Sequence, residues 1–169
     1  MGDDGRFWTT VGSTGTLSAA DLAKVSMNNA VIALGHGIAP PLAAGAADPS
    51  IITPQISAVV RYNVTPVDAL FPDAQPFVYV LQLTYRGNVH ARLVQFDHST
   101  GAETDLVHFD GSSSPASGFT TASIETGLAT VMDFVTSAYY VEATLTASAI
   151  VAGSPAEIAA LKVYASTTF

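Results

Sequence analysis

Apolar and polar positions alternate through most of this chain with the two-residue period of a strand. In QISAVVRYNVT, Ile56, Ala58, Val60, Tyr62 and Val64 share one face, and Ser57, Val59, Arg61 and Asn63 share the other. Phe77, Tyr79, Leu81, Leu83 and Tyr85 repeat the pattern. Arg86, Gly87 and Asn88 then read as a tight turn, because Gly and Asn accept positive φ. VHARLVQFD returns as a strand, HSTG turns again, and AETDLVHFD follows. The stretch from Phe77 to Asp110 is therefore expected to form two hairpins. FTTASIET and TVMDFV, around Gly127, read as weaker strands, and Ser137 to Val151 as a strong one. EIAALKVYASTTF has some helical spacing, but its β-branched and aromatic end favours a strand.

Helix is nearly absent from this pattern. Ser18 is placed to N-cap a short turn, with Asp21 three residues on and with Leu22 and Val25 facing inward. Ala30 to Leu34 suits a short buried strand. GHGIAPPLAAGAADPS, PVDALFPDAQP and GSSSPASG are connections, since their Pro and Gly cannot sustain a helix or a central strand. The expected class is all-β. The chain reads as a single β-sandwich domain, jelly-roll-like, with about eight or nine short antiparallel strands and long Pro/Gly-rich connections. An N-terminal arm of about residues 1–16 and a Pro-rich loop of about residues 35–54 complete the domain of residues 1–169.

Composition narrows the partners. Of 169 residues, 49% are hydrophobic and 12% charged, about half the usual charged share. A surface so poor in charge is covered by small polar residues or by copies of itself. The net charge of -8 with six Lys and Arg and no basic cluster argues against nucleic acid and against anionic membrane surfaces. No apolar run approaches the ~20 residues of a spanning helix, so no membrane insertion is expected. The absence of cysteine excludes disulfides and thiolate chemistry. The start, MGDDGRFWTT, lacks the basic and apolar regions of a signal peptide, and none is expected. Asn63-Val64-Thr65 matches a glycosylation acceptor but reads here as a strand end.

Candidate chemistry is sparse. His98 and His108 flank one turn near Asp97, Asp105 and Asp110. The register nonetheless places His98 near Ala102 or Glu103, and His108 near Leu93 or Arg92, so they do not converge on a metal. FDHSTGAETD and FDGSSS lack the ligand spacing of a calcium loop. There is no GxSxG elbow and no Walker lysine. Glu103, Glu125, Glu142 and Glu157 read as strand-edge or turn residues. No enzyme, metal or cofactor is expected.

What remains are interface candidates. His90 and Arg92 share a phase with Val94 and Phe96, so the strand is apolar on both faces unless a bulge shifts it. Phe7, Trp8, Ile38, Leu42 and Tyr140 are further anchors, lying in the arm, the Pro-rich loop and a strand. The expected function is a structural subunit that associates with copies of itself into a homo-oligomer, shell or filament, its arm bridging neighbours by strand addition. The alternative is a glycan- or ligand-binding module that stacks a sugar on Trp8, Tyr139 or Tyr140.

From VVRYNVTPVDALFP through ARLVQFDHSTGAETDLVHFD to SAYYVEATLTAS, the chain resembles a group of small, uncharacterised bacterial β-sandwich-like proteins. The likeness runs from about Val59 to Ser148 and rests on structural motifs. It implies a shape and assigns no catalytic or binding residue.

Overall fold

Two antiparallel sheets close over one hydrophobic core, and strand alternation decides which residues enter it. A computed structural model describes residues 3–35, 55–66, 76–111, 118–148 and 155–166. Eleven strand segments fall within them, against the eight or nine expected, because the head, Thr16–Leu17 and Val25–Asn28 also pair as strands. They are β1 (Asp3–Val11), β2 (Thr16–Leu17), β3 (Val25–Asn28), β4 (Val31–Leu34), β5 (Gln55–Val64), β6 (Tyr79–Arg86), β7 (Asn88–Asp97), β8 (Glu103–Asp110), β9 (Thr120–Glu125), β10 (Ser137–Ser148) and β11 (Glu157–Ser166). A single helical turn, α1 (Ala19–Leu22), follows β2.

The six-stranded sheet runs β3-β4-β11-β6-β9, with β1 also on β11, and the five-stranded sheet runs β2-β5-β10-β7-β8. The expected inward phases hold. Ala58, Val60, Tyr62 and Val64 of β5 are buried, as are Tyr79, Leu81, Leu83 and Tyr85 of β6. They meet Val141, Ala143 and Leu145 of β10 and Leu161 and Val163 of β11 in the same cluster. The closing segment is a strand, with a bulge between Ile158 and Ala160 that absorbs its mixed periodicity.

Several expectations change. Gly87 does make a tight turn, with φ +75°, but β6 and β7 belong to different sheets. The chain crosses the core there, and of the two hairpins expected between Phe77 and Asp110 it is β7–β8 that forms. Local residue pattern cannot separate these cases, because both need the same turn residue. A Cβ on Gly87 would lie 2.8 Å from the Pro155 carbonyl oxygen, so the crossing also needs glycine for close approach. TVMDFV is not a strand. Thr130 makes only an isolated bridge to Phe77, and the chain then turns on Asp133. Ser18 caps α1 as expected, its Oγ accepting from the Asp21 N–H. Leu22, expected inward, is exposed because α1 is a single turn packed by its polar side.

The head is also not a free arm. β1 pairs antiparallel with β11 of its own chain, Trp8 opposite Val163 and Thr10 opposite Leu161. Phe-Trp-Thr-Thr-Val is β-branched and aromatic, and it completes an edge that β4 covers only at Glu157 and Ile158. Trp8 is 8% exposed and part of the core. The Pro-rich loop, with Ile38 and Leu42, lies outside the described residues.

Candidate functional site

Charged and polar side chains gather on the outer face of the five-stranded sheet. Three of the chain's six cations, Lys24, Arg61 and Arg92, lie on this side. Register explains the row. Glu142 on the central strand β10 stands opposite Arg61 of β5 and Arg92 of β7, and Arg92 stands opposite His108 of β8. Glu142 is thus a mid-sheet residue, and the edge or turn position expected for it is corrected.

A bulge supplies the rest. Strict alternation from Val107 and Phe109 would turn Asp105 inward and Leu106 outward. The β7–β8 register instead shifts between Leu93 and Val94, so that Val107 pairs with Leu93 and Asp105 with Val94. The extra residue, Leu106, packs against the core. Glu103 and Asp105 are thereby turned onto the outer face. There Arg92 binds Asp105 at 2.8 Å, Glu103 at 3.4 Å and Glu142 at 2.9 Å. Tyr140 donates its hydroxyl to Glu103 at 2.6 Å.

The electrostatics follow from these contacts. The Tyr140 hydroxyl holds the Glu103 carboxyl below its usual range, with Arg92 adding to the effect. Burial, and then the Glu103 hydrogen bond, push the Tyr140 phenol up to about 12. The hydrogen bond that Arg61 donates to Glu142 raises its guanidinium further. For Arg92, burial opposes the charge, but Glu142 and Asp105 together outweigh it. Glu103, Tyr140, Arg61 and Arg92 therefore keep their ordinary charge states at neutral pH.

Val94 answers the question its phase raised. It points outward yet is fully buried, between Tyr140 and Asp105 in register. Its own neighbours cover it. His90 shares the face, its Nδ1 3.4 Å from Asp110 Oδ1. Arg92 and Tyr140 meet through Glu103, whereas Trp8 sits in the core and presents little ring to a ligand. Phe7 stands opposite Tyr164 on β1, in the other sheet. Sequence reasoning missed Arg61, Glu142, Glu103 and Asp105 as a group. The outward phases of Arg61 and Glu142 were visible, but the pairing of β5 with β10 was not.

The open edge of β5 is finished by side chains. β2 pairs with it only at Arg61 and Val60. Beyond that, Lys24 Nζ donates to the Ser57 carbonyl at 3.0 Å and to Asp21 Oδ1 at 2.9 Å. Lys24, then Ser18, and more weakly the Val59 N–H, hold the Asp21 carboxyl below its usual range. Between this segment and the sheet lies a cleft of about 480 Å³.

At the end of the sandwich where β6 and β10 begin and β9 ends, the 126–136 connection is pinned. Phe77 and Thr130 exchange backbone hydrogen bonds, and the Thr136 carbonyl accepts from the His98 N–H. Asp133 accepts from the Val135 N–H and the Thr136 hydroxyl, and its own N–H donates to the Tyr139 hydroxyl. This fixed backbone leaves Leu128 80%, Val135 88% and Val131 40% exposed.

Among the described residues, no three His, Asp or Glu side chains are grouped to hold a metal ion. Among them too, no helix is long and apolar enough to cross a membrane. No protein-family model matches the chain, and no curated protein matches it in sequence.

Proposed function

We propose that the chain is a self-associating structural subunit built on a jelly roll. Support for the jelly roll comes from the pairs β4–β11, β5–β10, β6–β9 and β7–β8. They read as one long antiparallel ribbon, with the β7–β8 hairpin at its tip, wound so that successive pairs alternate between the two sheets. β1, β2 and β3 are additions to that ribbon.

One observation carries self-association: the apolar tip of the 126–136 connection. Seven large hydrophobics are exposed among the described residues, and Leu128, Val131 and Val135 fall within this one connection. Apolar side chains on a pinned backbone favour burial without a large ordering cost. The nearest carboxylate, Asp133, is already bonded within its own turn. A second copy of the same tip presents the same three apolar side chains, as an isologous two-fold contact requires. The β8 edge, by contrast, carries Glu103, Asp105 and Asp110, which oppose strand addition there.

The experiment is a double variant, Leu128→Asp with Val135→Asp, followed by light scattering on a sizing column. The proposal expects the native multimer to fall to the monomer mass with an unchanged β-sheet circular dichroism spectrum. A variant whose mass equals that of the native protein contradicts it.

A further inference from the structure

We propose that the cleft between the β2–α1 segment and the outer face of the five-stranded sheet is a saccharide-binding site, with Arg61 as its central donor. The inference is independent of self-association, which uses the end of the sandwich.

The cleft, about 480 Å³, is of the size that small-molecule sites adopt, roughly 300–1,000 Å³. A second hollow of about 230 Å³ adjoins it and shares Thr16 and Arg61. Arg61 therefore stands at the junction of the two. Its Nε is held by Glu142 at 2.7 Å, and its guanidinium lies 5.2 Å from the centre of the Tyr140 ring. The Nη atoms meet no acceptor among the described residues, and the side chain is 52% exposed. The result is a fork locked in direction with its terminal N–H groups still to satisfy.

The rest of the lining supplies the complement. Asp21, Ser18 and Leu17 line the cleft from the β2–α1 segment, and Glu142 and Val59 line it from the sheet beside Arg61, adding carboxylate oxygens, a hydroxyl and apolar surface. Lys24 fixes that segment by tying Asp21 to the Ser57 carbonyl. Cation and anion face each other across a few side chains. A phosphate or other polyanion would meet Asp21 and Glu142, and a cationic ligand would meet Arg61 and Lys24. A neutral ligand with neighbouring hydroxyls satisfies both signs at once: each hydroxyl accepts from the guanidinium and donates to a carboxylate. The C–H face of a sugar ring then rests on Leu17 and Val59. This differs from aromatic stacking, since Trp8 and Tyr140 are both buried.

The test is a methyl NMR titration of the labelled chain. Leu17 and Val59 are followed against glucose, galactose, mannose, N-acetylglucosamine and their short oligomers at millimolar concentration. The expected result is a saturable shift of both residues with at least one saccharide. Val59→Trp, which fills the cleft without touching an ion pair, weakens that binding by at least about tenfold. Arg61→Lys keeps the charge, loses the fork and weakens it as well, and serves if the tryptophan variant does not fold. The proposal is overturned if no saccharide moves these methyls, if binding survives both substitutions, or if inorganic phosphate displaces the saccharides from the cleft.

Discussion

Arg61 and Arg92 approach Glu142 from opposite sides and divide its carboxylate, Arg61 Nε on Oε2 at 2.7 Å and Arg92 Nε on Oε1 at 2.9 Å. The relationship depends on β10 lying between β5 and β7, so that one residue of the central strand faces a partner on each side. It ties three strands together at the middle of the charged row on this face.

Glu142→Gln should therefore destabilise the fold. Arg92 keeps Asp105 and Glu103, but Arg61 loses its only ion pair among the described residues. Charge-assisted hydrogen bonds contribute about 1.5–3 kcal/mol each, and the exposure of Arg61 places the loss toward the lower end, about 1–2 kcal/mol. Urea denaturation of the two proteins measures it, and an unchanged midpoint would contradict the shared-carboxylate account.

Gly87→Ala should destabilise by roughly 1–3 kcal/mol. The residue sits at φ +75°, and an added Cβ would press on Pro155 and Ala156 backbone atoms. Gly101 provides the control, because it has a similar φ of +71° but open space around the Cβ position. Thermal unfolding of both alanine variants should show the larger loss at Gly87. Equal losses would mean that conformation alone matters at the crossing.

These positions mark how far the residue pattern could be read. The inward faces of β5 and β6 were legible because a buried strand face must be apolar at every second position. The Ser18 cap and the Gly101 turn were legible because each depends on local residues. The crossing at Gly87 was not, since a turn within a sheet and a turn between sheets demand the same glycine. The outer-face network was not legible either. It needs β5 beside β10, some eighty residues apart by Arg61 and Glu142, and a bulge at Leu106 that no single residue announces. The head was misread because Trp8 fits an interface anchor and a core strand equally well, and the pairing with β11 decides between them.

Trp8→Ala should lower stability by about 3–5 kcal/mol, the range for emptying a large aromatic site in a core. Denaturant titration measures this directly. A stability equal to that of the native protein would return β1 to the role of a dispensable arm.

The β7–β8 turn should titrate in strong acid. Asp97 accepts from the Ser99 hydroxyl, the Thr100 N–H and the Ser99 N–H, which together lower its carboxyl to about 2 from an ordinary 3.8. Because the folded value is depressed, this stabilisation is complete above the unfolded value near 3.8. It is lost as pH falls through about 2. Carboxyl NMR should show a midpoint near 2 for Asp97, and Asp97→Asn should flatten the stability profile in that window. A midpoint at the ordinary value would contradict the turn geometry.

The central claim is self-association, and the native mass in solution tests it most directly. Light scattering on a sizing column, with a negative-stain image of the same peak, should give a uniform multiple of the 17.4 kDa chain. A single peak at 17.4 kDa across the concentration range would contradict the claim and leave the Arg61 cleft as the feature to pursue.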